Sequence, residues 1–195
     1  EILISKNKKI FSKLKKNSII GTSSYRREYQ LKTKRNDLNF KIIRGNVETR
    51  IKKLNKGEYD AIVLAKAGLK LLNLEKKISQ EVSTNFLIPS AGQGIIAVQC
   101  RKEDKFVRKI LKSINHKDTS LSAKIERQVL RKIKGDCDTA IGVHSKINKK
   151  KIKISAELFS KDGSRRFFIK KTVNLGSLKN IGNRIGKTLL DKSRG

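Results

Sequence analysis

The chain has 195 residues, 36% of them hydrophobic and 33% charged, and its apolar residues are spread along its whole length, which supports a packed core and excludes bulk disorder. The formal net charge is +31, but aromatics are only 5% and most lysines are scattered, so the charge reads as a solvated basic surface and no nucleic-acid partner is expected. No apolar run approaches the roughly 20 residues of a membrane helix, so no membrane role is expected. In chain order, Ile10, Phe11 and Leu14 fall at helical spacing within 6–15. "SIIG" at 18–21 reads as a short buried strand. A hydroxyl-rich loop, Thr22, Ser23 and Ser24, leads into a helix that runs through about Leu31. "LNFKIIRG" at 38–45 is a second strand. Asn46 is a fair N-cap for a helix with Val47, Ile51 and Leu54 on one face, stopped by "NKG". "YDAIVLA" at 59–65 has the unbroken apolar run of a strand buried on both faces, and "AGLKLLNL" follows as a helical turn.

"FLIPSAGQGIIAVQC" at 86–100 breaks this alternation with the single proline, a Gly-Gln-Gly turn and an apolar strand, and marks a crossing between domains. Residues 103–114 form a helix. Asp118, Thr119 and Ser120 can cap the next one, whose face carries Leu121, Ile125, Val129 and Ile133 and which Gly135 ends. "TAIGVHSKI", "KIKISAELFS" and "RRFFIKKTV" read as an antiparallel meander, with "KDGS" at 161–164 turning the last pair. A final helix starts from about Ser177. The expected fold is α/β: a domain with a mostly parallel sheet, followed by a small α+β domain with a three-stranded antiparallel sheet.

Ligands of such sheets bind beyond the carboxyl ends of the strands. Thr22, Ser23, Ser24, Arg26, Arg27, Arg44 and Arg50 all fall there. Arg26 and Arg27 oppose the partial positive charge of a helix start by about 0.3–1 kcal/mol each, and no acidic residue precedes them in that turn. The placement makes sense if an anion docks there, because guanidinium forks suit carboxylates and phosphates alike. On this reading the corner stays less ordered until the anion arrives. Cys137, in "KGDCDTAIG", is flanked by Asp136 and Asp138, whose charge works against an activated thiol. It is either inert or a point of covalent attachment. Cys100 reads as inert. The two cysteines show no metal-binding spacing, and no metal is expected. A reducing cytoplasm is the expected compartment.

"GTSSYRREYQL", "RGNVETRIKKLNKGEYDAIVLAKAGLKLL", "PSAGQG" and "ERQVLRKIKGDCDTAIG" together resemble the porphobilinogen deaminase (hydroxymethylbilane synthase) family, in its order and at its spacing. The resemblance implies a transferase of tetrapyrrole (haem) biosynthesis that joins porphobilinogen units head to tail with release of ammonia. It implies a dipyrromethane cofactor held by a thioether to Cys137. It further implies that Thr22, Ser24, Arg26, Arg27, Arg44 and Arg50 bind pyrrole carboxylates, while Ser23 and Asn46 order the same loops. The family's fold is periplasmic-binding-protein-like with a third, small domain. Residues 1–90 would then be domain two, 91–115 the segment returning to domain one, and 116–195 the cysteine-loop domain. The chain opens on Glu1 and holds no methionine. It is therefore expected to be an N-terminally truncated piece, lacking the family's catalytic aspartate and inactive alone, its parent a cytoplasmic monomer. Leu71, Asp136 and Ala140 depart from the family pattern, Asp136 by setting a negative group beside a polycarboxylate. The competing readings are a basic nucleic-acid-binding module and a degenerate, non-catalytic homologue.

Overall fold

The computed structural model describes residues 1–136 and 138–195. Its first unit is built on five strands: β1 (Ile2–Ser5), β2 (Ile19–Gly21), β3 (Asn39–Lys41), β4 (Ala61–Leu64) and β5 (Gln80–Glu81). They lie in the order β3-β2-β4-β1-β5. β2 is parallel to β3 and β4, and β1 is antiparallel to β4 and β5, so β1 alone runs against the rest. The mostly parallel sheet expected from the sequence is present. Helices α1 (Tyr25–Lys32), α2 (Val47–Lys56) and α3 (Lys66–Leu71) connect the strands.

β4 explains its own unbroken apolar run. Ala61 and Val63 point into one core with Leu3, Ile20 and Leu31, while Ile62 and Leu64 point into another with Ile4, Ile51 and Leu54. The chain then leaves this unit through residues 88–93 and enters α4 (Lys105–Ile114) and α5 (Lys117–Ile133). β6 (Ile141–Asn148), β7 (Lys151–Phe159) and β8 (Arg166–Asn174) form the antiparallel meander, and α6 (Ile181–Arg194) closes the chain. α5 and α6 cover one face of this sheet over a core of Val129, Ile152, Ile154, Ile185 and Leu189.

Several local expectations are corrected. Residues 6–15 form two single 3₁₀ turns, Lys6–Lys8 and Phe11–Lys13, in place of a helix. Asn7 and Lys8 sit at positive φ, which breaks any helix, and only Phe11 and Leu14 are drawn into the core. Residues 95–100 form no strand, because no neighbouring strand is there to satisfy their backbone among the described residues. α5 is capped by His116, whose Nδ1 accepts from Thr119 N at 3.2 Å, and not by Asp118, Thr119 or Ser120. It ends at Lys134 in the left-handed region, one residue before Gly135. α6 starts four residues later than expected, after a 3₁₀ turn at Leu175–Ser177.

Candidate functional site

β2 and β3 pair with Gly21 opposite Lys41, so the loops that follow them leave the same edge of the sheet. Thr22 is buried, and its N–H donates to the carbonyl of Lys41 at 3.1 Å. Its hydroxyl accepts from the N–H of Ser24 at 3.2 Å. Ser23 Oγ donates across to the carbonyl of Ile43, tying the two loops together. Ser24 is the N-cap of α1, accepting from Arg27 N at 3.4 Å. Asn46 caps α2 in the same way, its Oδ1 accepting from Thr49 N at 2.9 Å.

The four arginines divide into two kinds. Arg26 and Arg27 turn inward, and both meet the carboxylate of Glu1. Arg26 Nη2 lies 2.7 Å from Oε1 and Arg27 Nη2 lies 2.7 Å from Oε2, with the Glu1 side chain fully buried. Arg26 also donates to the carbonyl of Ile88 at 2.8 Å, and Arg27 to that of Val63 at 3.2 Å. Burial opposes ionisation of Glu1, but the charges of Arg27 and Arg26 outweigh it and hold the carboxyl below its ordinary range. The arginine pair at the helix start is therefore compensated by an acidic residue of the chain itself, not left open for an anion as the sequence suggested. One donor remains over: Arg27 Nε is buried without a hydrogen-bond partner among the described residues.

Arg44 and Arg50 are the second kind. Arg44 is exposed, and its guanidinium meets no carboxylate among the described residues. Arg50 donates from Nε to the carbonyl of Gly45 at 2.8 Å, and among the described residues its outer nitrogens meet no carboxylate. Partial burial and the charge of Arg27 lower its affinity for its proton.

Facing the arginine corner is the loop between α5 and β6. Asp136 Oδ1 accepts from Asp138 N at 3.1 Å, from Thr139 N at 2.9 Å and from Thr139 Oγ1 at 2.7 Å, while Thr139 Oγ1 accepts from Asp136 N at 3.1 Å. The Thr139 hydroxyl, helped by the backbone N–H groups, holds the Asp136 carboxyl below its ordinary range. The charge that looked unhelpful from the sequence is spent on closing this turn. Cys137, between them, lies outside the described residues. A cavity of about 320 Å³ joins the two sides, lined by Ser24, Arg26 and Arg27 on one and Asp136 and Thr139 on the other. Gln93 and Ser90 of the connecting segment complete it.

Three participants escaped sequence reasoning. Glu1 carries no local signal, since its role depends on β1 lying beside β4. Gln30 is buried and brackets Ile88, accepting from its N–H at 2.6 Å and donating to its carbonyl at 2.8 Å. A glutamine on the inner face of α1 was the only hint. Thr139 shows itself only through the turn it closes. Leu71, at the end of α3, is 85% exposed and makes no part of this cavity. Lys66, at the start of the same helix, is paired with Glu81. Among the described residues no cluster of His, Cys, Asp and Glu could hold a metal ion, and no helix is long and apolar enough to cross a membrane.

The cavity sets Arg26 and Arg27 against the Asp136–Thr139 turn, while Arg44 and Arg50 lie outside its lining; guanidinium forks such as theirs suit carboxylates. Residues 1–109 match the family profile "Porphobilinogen deaminase, dipyromethane cofactor binding domain", and residues 120–191 match "Porphobilinogen deaminase, C-terminal domain". The chain is 40% identical over 172 residues to the porphobilinogen deaminase of Prochlorococcus marinus, covering 88% of this chain and 54% of that protein. It is 41% identical over 194 residues to the enzyme of Coxiella burnetii, covering 98% and 62%. It is 40% identical over 190 residues to that of Buchnera aphidicola, covering 97% and 59%. The chain thus spans between 54% and 62% of the length of these relatives.

Proposed function

The chain belongs to the porphobilinogen deaminase family, and from that premise we propose that it is part of a transferase that condenses porphobilinogen units head to tail, releasing ammonia, to give hydroxymethylbilane in tetrapyrrole biosynthesis. The observation that carries this reading is the cavity shared by the arginine corner and the loop around position 137. The residues present fit a dipyrromethane in charge: Arg26 and Arg27 make the cavity wall cationic, and Arg44, exposed and paired with no carboxylate among the described residues, offers donors for acetate and propionate groups. When bound, that group supplies the terminal pyrrole to which the next unit is joined.

Each residue of the chain then has a task. Cys137 is the attachment point, through a thioether. Arg44 and Arg50, unpaired with any carboxylate among the described residues, bind carboxylates of the cofactor and of the growing chain. Arg26 and Arg27 line the cavity itself, anchored to Glu1, and keep its wall cationic. Thr22, Ser23, Ser24 and Asn46 hold the two loops in register. Residues 1–90 form the cofactor-binding domain, 91–115 lead into a further domain that supplies the catalytic aspartate, and 116–195 carry the cysteine loop. The partners are porphobilinogen and the growing polypyrrole, with no nucleic acid or membrane involved, and the enzyme is a cytoplasmic monomer.

Intact-mass measurement on the full-length protein tests this. A covalent dipyrromethane adduct is expected in the wild type and absent in Cys137→Ser; an active wild type with an unmodified cysteine overturns the reading. Arg44→Ala is expected to lower kcat/KM by about ten- to a hundredfold, the worth of a charge-assisted hydrogen bond, with unchanged thermal stability because the residue is exposed. Wild-type turnover in Arg44→Ala would remove it from the site.

A further inference from the structure

The two units of the chain are joined by the connecting segment. On the α1 side, Gln30 and Arg26 grip Ile88. On the other side, Val143 N donates to the carbonyl of Pro89 at 2.8 Å, and Gly92 N donates to the buried Glu126 at 2.8 Å. Residues 88–92 are thus the strap that both units hold.

A second attachment lies away from the strap. Tyr29, on α1, donates from its hydroxyl to the carbonyl of Lys161 at 3.1 Å. Its ring centroid lies 5.8 Å from that of Phe159 at the end of β7. The turn between β7 and β8 comes flat against the ring at Gly163, which has φ +75°; a Cβ there would fall 2.6 Å from Tyr29 Cδ1. The loop of Asp136, Asp138 and Thr139 shares a cavity of about 320 Å³ with Tyr29 and Phe159, and a separate one with the arginines. Nothing in the α1 motif calls for an aromatic at this place, and no step assigned above uses it.

We propose that Tyr29 is a positioning residue: wedged against Gly163, it stops the C-terminal unit from turning on the strap and so fixes the cysteine-bearing loop opposite the arginine corner. This rests on the reading that the loop carries the cofactor. A tethered group meets its binding site at an effective concentration set by how firmly the tether is held. Loosening the seam spreads the loop over more orientations and lowers that concentration, without touching the groups that bind substrate. The loss belongs in kcat and not in KM.

The test uses the full-length protein with Tyr29→Ala, Tyr29→Phe, Gly163→Ala and the double variant Tyr29→Ala/Gly163→Ala. Tyr29→Ala is expected to lower kcat by about tenfold with KM within about twofold. Tyr29→Phe keeps the ring and is expected to recover most of the rate. Gly163→Ala strains φ in either background, but its clash with the ring disappears once Tyr29 is gone, so the two substitutions should be strongly non-additive. Hydrogen exchange at the amides of Asp138 and Thr139 should rise in Tyr29→Ala and stay low in Tyr29→Phe. A wild-type kcat in Tyr29→Ala, additive effects, or a Phe variant as slow as the Ala variant would each overturn the proposal. If the wild type consumes no porphobilinogen, it is the functional reading that fails, and the exchange measurements still decide whether Tyr29 holds the loop.

Discussion

Glu1 shows how much one side chain decides at this site. Both of its oxygens lie 2.7 Å from a guanidinium nitrogen, and neither it nor Arg26 reaches solvent to any extent. Charges buried this way are costly to separate, because removing one partner strands the other without water. Glu1→Ala is expected to destabilise the fold by about 3–5 kcal/mol in urea denaturation, well beyond the loss of a surface pair. The pair also carries a pH signature. The folded carboxyl titrates below its unfolded value, so its contribution is complete above the ordinary carboxylate range and is lost as pH falls through the depressed folded value. Denaturation of wild type and Glu1→Gln across acid pH should therefore converge, the gap between them closing as pH drops. A gap that stays constant would mean that Glu1 contributes by packing alone. At this scale the sequence revealed the arginines through their awkward place at a helix start, but not the partner that relieves it, since that partner precedes β1, a strand set beside β4 and two places from β2 only by the sheet order.

At the scale of elements, local chemistry and tertiary contact compete. α2 was legible throughout: Asn46 caps it, its apolar face repeats at helical spacing, and Gly57 at φ +87° ends it. Residues 6–15 show the opposite case, where helical spacing of three apolar residues is overruled by positive φ at Asn7 and Lys8. The crossing of α5 and α6 depends on a glycine whose reason is tertiary. A Cβ on Gly182 would fall 2.4 Å from the carbonyl of Ile125 and 2.5 Å from Gln128 Cβ. Helix propensity alone predicts that Gly182→Ala stabilises by roughly 1 kcal/mol. The backbone contact predicts instead a destabilisation of about 1–3 kcal/mol, since the helices must move apart. Thermal melts that show a higher Tm for Gly182→Ala would contradict the close crossing.

Over the whole molecule, the apolar residues of the two cores of the first unit and the one of the second are buried, and those of one face are not. Ile96 is 92% exposed, Phe106 74% and Ile114 67%. They lie on the 95–98 segment and α4, which border a cavity of about 470 Å³. Contiguous apolar surface of this kind marks a place where something packs. In the proposed arrangement this is the segment that leads into a further domain of the enzyme. The 195-residue chain by itself is then expected to self-associate through this face in sedimentation velocity, and Phe106→Lys with Ile114→Lys to restore a single small species. A wild-type chain that stays monomeric at high concentration would show that the face is tolerated in water.

What the sequence determined by itself is the part written in local chemistry. Strand and helix alternation, the hydroxyl loop, the cap at Asn46, the KDGS turn and the order of the motifs all depend on neighbours within a few residues. What only the tertiary structure decided is pairing over long separations: β1 running against the sheet, Glu1 closing on Arg26 and Arg27, Gln30 gripping Ile88, and Tyr29 seated on Gly163. Those contacts join residues from 25 to over 130 positions apart. A side chain carries no mark of such a partner, because the energy of the contact depends on a distance that the fold, and not the local chain, sets.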